Sequence, residues 1–446
     1  MSLPKYPEYK DSGVDWLGEV PVHWSVQRLR RIFEIRKRIA GEEGHQVLSV
    51  TQRGIVVKDV ESNDGQLSMD YSKYQLVYPG DFAMNHMDLL TGYVDISMHY
   101  GVTSPDYRVF TVREGVEGAQ RYFLYLFQNG YRQKIFYAFG QGASEFGRWR
   151  FPTDQFNDFW FPIPSFAEQS AIAIFLDLET AKIDALIAEQ EKLLTLLAEK
   201  RQATISRAVT QGLNPDVPMK ESGVAWLGKV PVHWSTCPLK FLAHIGNGST
   251  PNRDNSAYWA EEGFPWLNSS VVNQEEVTSA QRFITPLALE ECHLPIIEPP
   301  AALVGITGQG KTRGMATRLA FTATVNQHLA YIKPAEERLT LDYLLCVLAA
   351  AYDHLRTESE GVGCTKGAIT CEQLGQLKVP LPKISEQIAI VSFLNAEIAR
   401  LDTLTAEATR AIDLLKERRT ALISAAVTGK IDVRKAYPPQ QDACHG

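Results

Sequence analysis

Residues 167–210, AEQSAIAIFLDLETAKIDALIAEQEKLLTLLAEKRQATISRAVT, decide the fold of this chain. The segment contains neither Gly nor Pro, and its apolar residues recur in steps of three, four and seven. This spacing predicts one face of a long helix. At ~1.5 Å per residue the helix would be about 65 Å long, which is more than a small domain needs.

A second segment of the same kind covers residues 385–428, SEQIAIVSFLNAEIARLDTLTAEATRAIDLLKERRTALISAAVT. An offset of 218 residues (386 − 168) aligns Glu386-Gln387 with Glu168-Gln169. The matching apolar stripes predict that the two helices pack on each other, or on a partner, as a coiled coil. Two ordinary core helices remain an alternative at this point. The predicted packing residues are Ile172, Leu176, Ile183, Leu186, Leu193, Leu197, Ile390, Leu394, Leu401, Leu404 and Leu415.

The rest of the chain repeats as well. Residues 11–25, DSGVDWLGEVPVHWS, return at 221–235 as ESGVAWLGKVPVHWS, and we name these two stretches the opening segments. Their tryptophans are expected to anchor a turn-rich structure, and His23 and His233 to be packed structural histidines. A Pro-x-Pro hinge, at 162–164 and at 380–382, then leads into each long helix.

Each half of the chain therefore reads as an opening segment, an α/β domain, a hinge and a long helix. Short β-like runs at 46–50, 55–57 and 107–112 support the α/β assignment. The predicted fold class is α/β (α+β), with two tandem domains, two long antiparallel coiled-coil helices and a pseudo-twofold internal repeat. The predicted boundaries are 1–164 for the first domain, 165–212 for the central helix, 213–382 for the second domain, 383–430 for the distal helix and 431–446 for a flexible C-terminal tail.

Composition narrows the class of protein. The 446 residues are 45% hydrophobic and 22% charged, which is typical of a globular protein with two or three domains. All six cysteines lie in the second half and none forms a C-x-x-C pair, so neither a disulfide framework nor a zinc site is expected. The sequence shows no signal peptide and no membrane span, and we expect the chain in the cytoplasm.

One short motif offers an enzymatic alternative. Residues 305–312, GITGQGKT, satisfy the phosphate-loop pattern of nucleotide hydrolases. That motif requires a helix immediately after it, whose N-terminus holds the phosphates. The following residues, RGMATRLAFTATV, alternate in the manner of a strand instead. We therefore regard the match as fortuitous.

The same region favours nucleic-acid binding. The net charge of −7 gives no global indication of a polyanion partner, so any such binding must use local surfaces. Residues 301–335 and 119–144 contain no Asp or Glu but several basic residues, which is typical of a face that contacts phosphates and bases. The aromatic residues of 120–139 have helical spacing and are expected in the core. The predicted DNA contacts are Gln52, Arg53, Arg132, Lys134, Arg148, Arg150, Lys311, Arg313, Arg318, Asn326, Gln327 and Lys366.

Catalytic motifs are missing. The sequence contains no [DNS]-P-P-[YFW] motif for base methylation, no nuclease motif and no metal-binding His/Cys cluster. It predicts a non-catalytic binder with no catalytic and no metal site.

The repeated W-L-G-x-V-P-x-H-W segments, the hinge followed by E-Q-x-x-I, and the helices ending in A-V-T resemble the specificity subunit of Type I restriction-modification enzymes. The Gly-rich turn followed by Asn326-Gln327 is similar to a target-recognition domain of that family. The first half keeps a poorer version of this turn, Leu90-Thr-Gly-Tyr93.

The resemblance implies a sequence-specific DNA-binding subunit. Each target-recognition domain would read one half of a split recognition sequence in double-stranded DNA, and the helices would set the spacing. Two modification (methyltransferase) subunits would bring S-adenosylmethionine, and restriction (motor-nuclease) subunits would bring ATP and magnesium. None of these cofactors is expected on this chain. The alternative to a DNA-binding subunit is a coiled-coil adaptor without DNA specificity.

Overall fold

The structure is a computed structural model and describes residues 4–60, 68, 70–142, 149–308, 310–360 and 367–436. The chain divides into two compact units. Unit 1 contains residues 1–191 and 410–446, and unit 2 contains residues 192–409. Each unit therefore combines one α/β body with part of each long helix. The domain boundaries predicted from sequence, which separate each helix from its body, stay a prediction.

The first half of the chain forms twelve strands and four helices within the described ranges. They are β1 (Tyr9–Asp11), β2 (Glu19–Pro21), β3 (Ser25–Arg28), α1 (Leu29–Ile32), β4 (Phe33–Ile35), β5 (Leu48–Thr51), β6 (Gly54–Val57), β7 (Gln75–Val77), β8 (Phe82–Met84), β9 (Val94–Ile96), β10 (Gly101–Thr103), β11 (Arg108–Val112), α2 (Gln120–Arg132), α3 (Thr153–Asp158), β12 (Trp160–Ile163) and α4 (Phe166–Gln211).

The body of unit 1 is built on a four-stranded antiparallel sheet of order β4-β11-β8-β9. Helix α2 covers this sheet with an aromatic face, and Tyr122, Phe123 and Phe127 are fully buried. The prediction that the aromatic residues of 120–139 belong to the core is confirmed for those of α2 and wrong for Tyr137, which is exposed. Strands β3 and β12 pair with each other, so the end of the body returns to its beginning just before α4.

The second half of the chain forms thirteen strands and five helices within the described ranges. They are β13 (Met219–Glu221), β14 (Lys229–Pro231), β15 (Ser235–Pro238), β16 (Ala243–Asn247), β17 (Trp259–Ala260), β18 (Phe264–Leu267), β19 (Glu276–Val277), β20 (Phe283–Ile284), α5 (Pro286–Glu291), β21 (Ala301–Gly305), β22 (Ala316–Leu319), β23 (Thr324–Val325), β24 (Leu329–Pro334), α6 (Leu341–Ala350), α7 (Tyr352–Glu360), α8 (Cys371–Gln376), β25 (Lys378–Leu381) and α9 (Ile384–Val427).

The body of unit 2 has the same frame with a larger insertion. Its main sheet has five strands in the order β16-β24-β21-β22-β19, and β15 pairs with β25 as β3 pairs with β12. A second sheet of order β17-β20-β18-β23 is formed largely by residues 259–284, which lie between β16 and β21. Mixed helix and strand content therefore holds in both units, as predicted.

The opening segments are anchored by their second tryptophans. Trp24 and Trp234 are buried in their respective units. Each packs against a glycine in the left-handed region that follows a long helix: a Cβ on Gly429 would lie 3.1 Å from Trp24, and one on Gly212 3.2 Å from Trp234. A larger residue at either glycine would be strained and would crowd the tryptophan.

The histidines that precede these tryptophans are structural, as predicted, but they are exposed and not packed in the core. Nε2 of His23 lies 3.0 Å from Oε2 of Glu168, and Nε2 of His233 lies 3.0 Å from Oε2 of Glu386. Each opening segment is thus tied to the first turn of a long helix in its own unit.

A glutamine beside each of these glutamates joins the hinge to the body. The side chain of Gln169 donates to the carbonyl of Pro164 and accepts from the backbone N–H of Ala119. Gln387 does the same with Pro382 and Thr340. Both side chains are buried, so their amide groups need these partners.

The long helices run antiparallel within each unit. In unit 1, Asp184 on α4 pairs with Arg419 on α9, with 2.9 Å between Oδ1 and Nε. In unit 2, Arg201 on α4 pairs with Asp402 on α9. The two ion pairs correspond under the internal repeat, because the offset of 218 residues aligns Asp184 with Asp402 (402 − 184) and Arg201 with Arg419 (419 − 201).

Seven of the predicted packing residues are buried and four are not. Ile172, Leu176, Ile183, Leu197, Ile390, Leu394 and Leu401 are buried, whereas Leu186, Leu193 and Leu404 are exposed and Leu415 is half-buried. The buried seam of α4 continues from Ile183 through the half-buried Ile187, Gln190 and Leu194 in alternating steps of four and three. Leu186 and Leu193 are each one residue away from this seam. One residue corresponds to about 100° around a helix, which is why these side chains face outward.

The predicted flexible tail is wrong for residues 431–436. Val433 is buried in the core of unit 1, and the backbone N–H of Asp432 donates to the carbonyl of Pro4 at 2.7 Å. The carboxylate of Glu168, almost fully buried, also accepts a 2.7 Å hydrogen bond from Tyr6, and the Arg434 guanidinium lies 5.0 Å from the Tyr6 ring. Residues 437–446 lie outside the described ranges.

Candidate nucleic-acid interface

The phosphate-loop interpretation of residues 305–312 is wrong. Strand β21 ends at Gly305, and the described residues 310–315 form a turn that leads into strand β22. A phosphate loop needs a helix N-terminus at this point, and this segment provides none. Lys311 is exposed, and its carbonyl accepts a hydrogen bond from the Tyr352 hydroxyl.

The described residues contain neither a candidate metal site nor a candidate membrane span. No group of three or more His, Cys, Asp or Glu side chains in those ranges is arranged to hold a metal ion. Nor does any described helix have the length and hydrophobicity needed to span a membrane.

Two of the predicted contacts in unit 1 form the tip of a hairpin. Gln52 and Arg53 lie in the turn between β5 and β6, and both are exposed. The turn is closed by Thr51, whose hydroxyl donates to the carbonyl of Gly54. The carboxylate of Asp95 accepts from the N–H of Ile55 and so fixes the base of the tip against β9. This tip presents an amide and a guanidinium with little freedom of its backbone.

Arg132, at the end of α2, lies beside this tip. Its Nη2 donates to the hydroxyl of Tyr93 at 2.8 Å, while its buried Nη1 has no partner. Burial lowers the pKa of Arg132, but a guanidinium remains charged at neutral pH.

The structure brings together three of the predicted contacts in unit 1. Gln52, Arg53 and Arg132 line one cleft of about 440 Å³, together with residues of both long helices. Lys134 and Arg150 are exposed but do not line it. Arg148 lies outside the described residues.

Unit 1 contains a buried cation that was not among the residues predicted from the sequence. Arg108, on β11, is 4% exposed and has no carboxylate partner among the described residues. Its Nη2 donates to the carbonyl of Phe151 and to the Thr153 hydroxyl, and burial lowers its pKa to about 10. Next to it, burial and the charge of Arg108 lower the pKa of His86 to about 3. Arg108 lies two residues before Phe110 in a predicted strand, and the face that it shares with this apolar residue was the available signal.

In unit 2 the structure corrects two of the predicted contacts. Arg313 is 3% exposed and donates to the Glu360 carboxylate at 2.8 Å, so it supports the turn after β21 and faces no ligand. Asn326 is 4% exposed, and its Oδ1 accepts from the N–H of His328. Its side chain closes the turn between β23 and β24 and is not available to a base edge.

Arg318 is also separated from the other contacts. It lies on β22, pairs with Asp342 and lines a different cleft, of about 640 Å³, with residues of α9. Strand alternation explains this, because Thr317 and Leu319, its neighbours, face the interior. Lys366 lies outside the described residues.

Gln327 and Lys311 remain exposed at one edge of unit 2. The Gln327 side chain accepts a hydrogen bond from the Thr250 hydroxyl at 2.6 Å, which joins the turn after β23 to the loop after β16. The hydroxyl of Thr307 lies 2.8 Å from Nδ1 of His328, and this contact joins the loop after β21 to the same edge.

The loop after β16 also belongs to this edge, although none of its residues was predicted from the sequence as a DNA contact. Residues 247–255, NGSTPNRDN, carry the exposed Asn252 and Arg253 and contribute Thr250 to the edge. The available signal was the cluster of Gly, Ser, Pro and Asn, which is typical of a structured loop.

Comparison with known proteins agrees with this architecture. The family profile described as the Type I restriction modification DNA specificity domain matches residues 231–413. A protein of Methanocaldococcus jannaschii, named for the specificity subunit of the MjaX type I restriction enzyme, is 23% identical over 444 residues, covering 94% of this chain and 96% of that protein. The EcoR124I/EcoR124II specificity subunit of Escherichia coli is 25% identical over 248 residues, about half of each chain (55% and 54%).

Two solved structures share the fold. A chain from a study of complex assembly in the type I R-M system has a TM-score of 0.69 at 14% identity, covering 92% of this chain and 98% of that chain. The HsdS subunit from Thermoanaerobacter tengcongensis has a TM-score of 0.51 at 15% identity with the same coverage. The profile covers the second body, and the relatives extend the likeness to nearly the whole length. Over nearly its whole length the chain is thus similar in sequence to Type I restriction-modification specificity subunits.

Proposed function

We propose that this chain is the sequence-specific DNA-binding subunit of a Type I restriction-modification system and that it reads a two-part target. One body would read each half-site. The observation that carries this proposal is a duplicated frame with two different bodies. The opening segments, the hinge contacts of Gln169 and Gln387 and the helix-to-helix ion pairs all repeat, whereas the sheets and loops differ.

The exposed edges of the bodies support DNA reading. Gln327 and Gln52 carry amide groups that can pair with adenine, and Arg53, Lys311 and Arg253 can contact guanine or a phosphate. These side chains stand on turns that are fixed by hydrogen bonds of Thr51, Thr250 and their neighbours. Fixed turns reduce the entropy cost of binding.

The long helices support a fixed spacing between the half-sites. Two readers on one face of a duplex would engage sites about one helical turn apart, ~34–36 Å. The ion pairs Asp184–Arg419 and Arg201–Asp402 would hold the two helices in one register. A helix changes length in fixed increments, so the pair suits the role of a spacer.

Partner subunits would bind to the remaining helix faces. Several large apolar side chains on these faces are exposed: Ile174, Leu178, Leu196, Ile388, Phe393 and Leu414. Exposed apolar side chains of this size are typical of protein interfaces. We assign them to two modification subunits and to restriction subunits. Those partners would supply S-adenosylmethionine, ATP and magnesium, and this chain would be non-catalytic.

The test is long-read sequencing of the methylated bases in a host that carries the chain with its modification subunits. We expect methylation at one split sequence with a constant gap. Deletion of residues 247–255 should alter one half of that sequence and leave the other half unchanged. Methylation without a common sequence would favour the adaptor function instead.

A further inference from the structure

The cleft in unit 1 is formed by five elements, one of which is β9 with Asp95. The β5–β6 tip contributes Gln52 and Arg53, α2 contributes Arg132, and the long helices contribute Asp184 and Arg419. The cleft therefore lies where the body of unit 1 meets α4 and α9. Its volume is about 440 Å³, and its lining is dominated by charged and polar side chains.

The carboxylates of this cleft are already engaged. Asp177 accepts from Arg121 and from the Tyr125 hydroxyl, Asp184 pairs with Arg419, and Asp95 accepts from the backbone N–H groups of Ile55 and Ile96. These are all the acidic residues that line the cleft.

Two cations remain without a carboxylate among the described residues. Arg53 has no side-chain partner there, and the polar partner of Arg132 is the Tyr93 hydroxyl. Burial raises the pKa of Tyr93, so this hydroxyl is neutral at physiological pH. The Nη1 donor of Arg132 is buried without a partner, which is unfavourable unless a ligand accepts from it.

The chemistry of these groups selects an anion. Guanidinium groups form paired hydrogen bonds with the oxygens of a phosphate, and two of them can share one phosphate from different sides. A nucleobase carries no negative charge and would not balance both cations. In a DNA-binding protein, phosphate contacts fix the position of the protein on the duplex and leave the sequence to be read elsewhere.

We propose that Arg53 and Arg132 bind one backbone phosphate of the DNA half-site read by unit 1. The inference rests on the proposed DNA-binding function and adds the ligand of this cleft. The Asp184–Arg419 pair lines the same cleft, so the phosphate would be held close to the two long helices. This contact would fix where the half-site lies relative to the spacer.

The experiment uses the full chain purified with its modification subunits and a duplex that carries its selected target. Single phosphates are ethylated, and binding is measured for each modified duplex. We expect one phosphate in the half-site of unit 1 whose ethylation weakens wild-type binding. With Arg132→Gln this sensitivity should disappear, and the sensitivities at other phosphates should remain.

The same variant should weaken binding about tenfold without changing base preference. It should also make the slope of log K against log salt shallower by about one, because one phosphate contact is lost. Arg53→Gln, at the exposed hairpin tip, should act in the same direction without affecting folding. Arg31→Gln, which removes an exposed charge outside the cleft, is the matched control and should leave the footprint unchanged.

Three outcomes would overturn the assignment. The first is unchanged affinity and salt slope in both variants. The second is a relaxed preference at one base pair with the slope unchanged, which would make Arg132 a base reader. The third is loss of a modification subunit from the complex with DNA contacts intact, which would assign the cleft to an acidic partner side chain. If wild-type protein shows no sequence preference, the DNA-binding proposal itself fails.

Discussion

At the residue scale, unit 1 holds a buried arginine and a half-buried histidine side by side, and neither pairs with a carboxylate of the described residues. Arg108 and His86 lie beside each other behind the turn that follows β8. Arg108 is held by a carbonyl and a hydroxyl, which accept its hydrogen bonds but do not balance its charge. Burial, together with the positive charge of Arg108, lowers the pKa of His86 and keeps its side chain neutral.

This arrangement predicts a loss of stability in mild acid. The pKa of His86 is about 3 in the fold, against an ordinary value of 6.5, so below pH 6.5 the unfolded chain binds a proton that the folded chain does not. Stability due to this group is complete above pH 6.5 and falls as the pH drops toward 3. At pH 5 the loss is about 2 kcal/mol. His86→Gln should remove this loss in urea unfolding at pH 7.5 and pH 5, whereas His99→Gln, at an exposed position, should keep it. Equal pH dependence in all three proteins would contradict the prediction.

The sequence predicted which segment carries a candidate binding surface more reliably than it predicted which residues of that segment are exposed. The acid-free span 301–335 correctly contains the exposed Lys311 and Gln327, but also Arg313, which is buried. An arginine that contacts a ligand and an arginine that stabilises a turn are the same residue type in the sequence. The difference depends on Glu360, 47 residues away in the sequence, and local pattern carries no information about that contact.

At the scale of elements, the long helices are held by a narrow seam. Positions on the seam are buried or half-buried at steps of three and four, while the apolar Leu186 and Leu193, each one residue away from it, are exposed. Helix, hinge and repeat were predictable because they depend on local periodicity and on internal comparison. The exact seam was not, because several leucines stand side by side and only contact with the second helix selects among them.

A pair of matched substitutions tests the seam. Leu401 is buried and Leu404 is exposed on the same helix. Leu401→Ala should lower the free energy of unfolding by about 2–4 kcal/mol, because it removes buried methyl groups and leaves a cavity. Leu404→Ala should change it by less than about 0.5 kcal/mol, as is usual at an exposed site. Chemical denaturation of each variant gives the comparison, and similar losses would show that the seam is wrongly assigned.

The helices also predict the effect of a length change. Inserting seven residues into α4 after Lys192 and seven into α9 after Arg410 would lengthen both by about 10 Å and keep the heptad register. If the helices set the spacing, the gap in the methylated sequence should grow by about three base pairs with both half-sites unchanged. Methylome sequencing gives this gap directly. An unaltered gap would remove the helices from the role of spacer.

At the scale of the whole molecule, the end of a long helix is joined to an opening segment twice. In unit 2 the junction is covalent, and in unit 1 it is made by non-covalent contacts. In unit 2 the end of α4 continues through residues 212–218 into β13. In unit 1 the corresponding connection is replaced by contacts between the two ends of the chain, among them the hydrogen bond from Asp432 to Pro4 and the contact of Arg434 with Tyr6.

The non-covalent junction predicts that the chain tolerates circular permutation. A short linker from residue 436 to residue 4, with new termini between Asn214 and Pro215, should leave both bodies folded. The permuted chain should direct methylation to the same sequence as the parent. A control that lacks residues 431–436 should instead lose stability, because it removes Val433 from the core. Failure of the linked, permuted chain to support methylation would show that the original connectivity is required.

The contacts of Gln169 and Gln387 have a consequence for how such proteins diversify. Both side chains form hydrogen bonds with main-chain groups only. Each donates to the carbonyl of a hinge proline and accepts from a backbone N–H at the start of a helix in the body. Every polypeptide offers the same main-chain groups whatever its side chains. A foreign reading module could therefore be grafted between opening segment and hinge without redesigning the attachment, and recombination could assort new target sequences from existing parts.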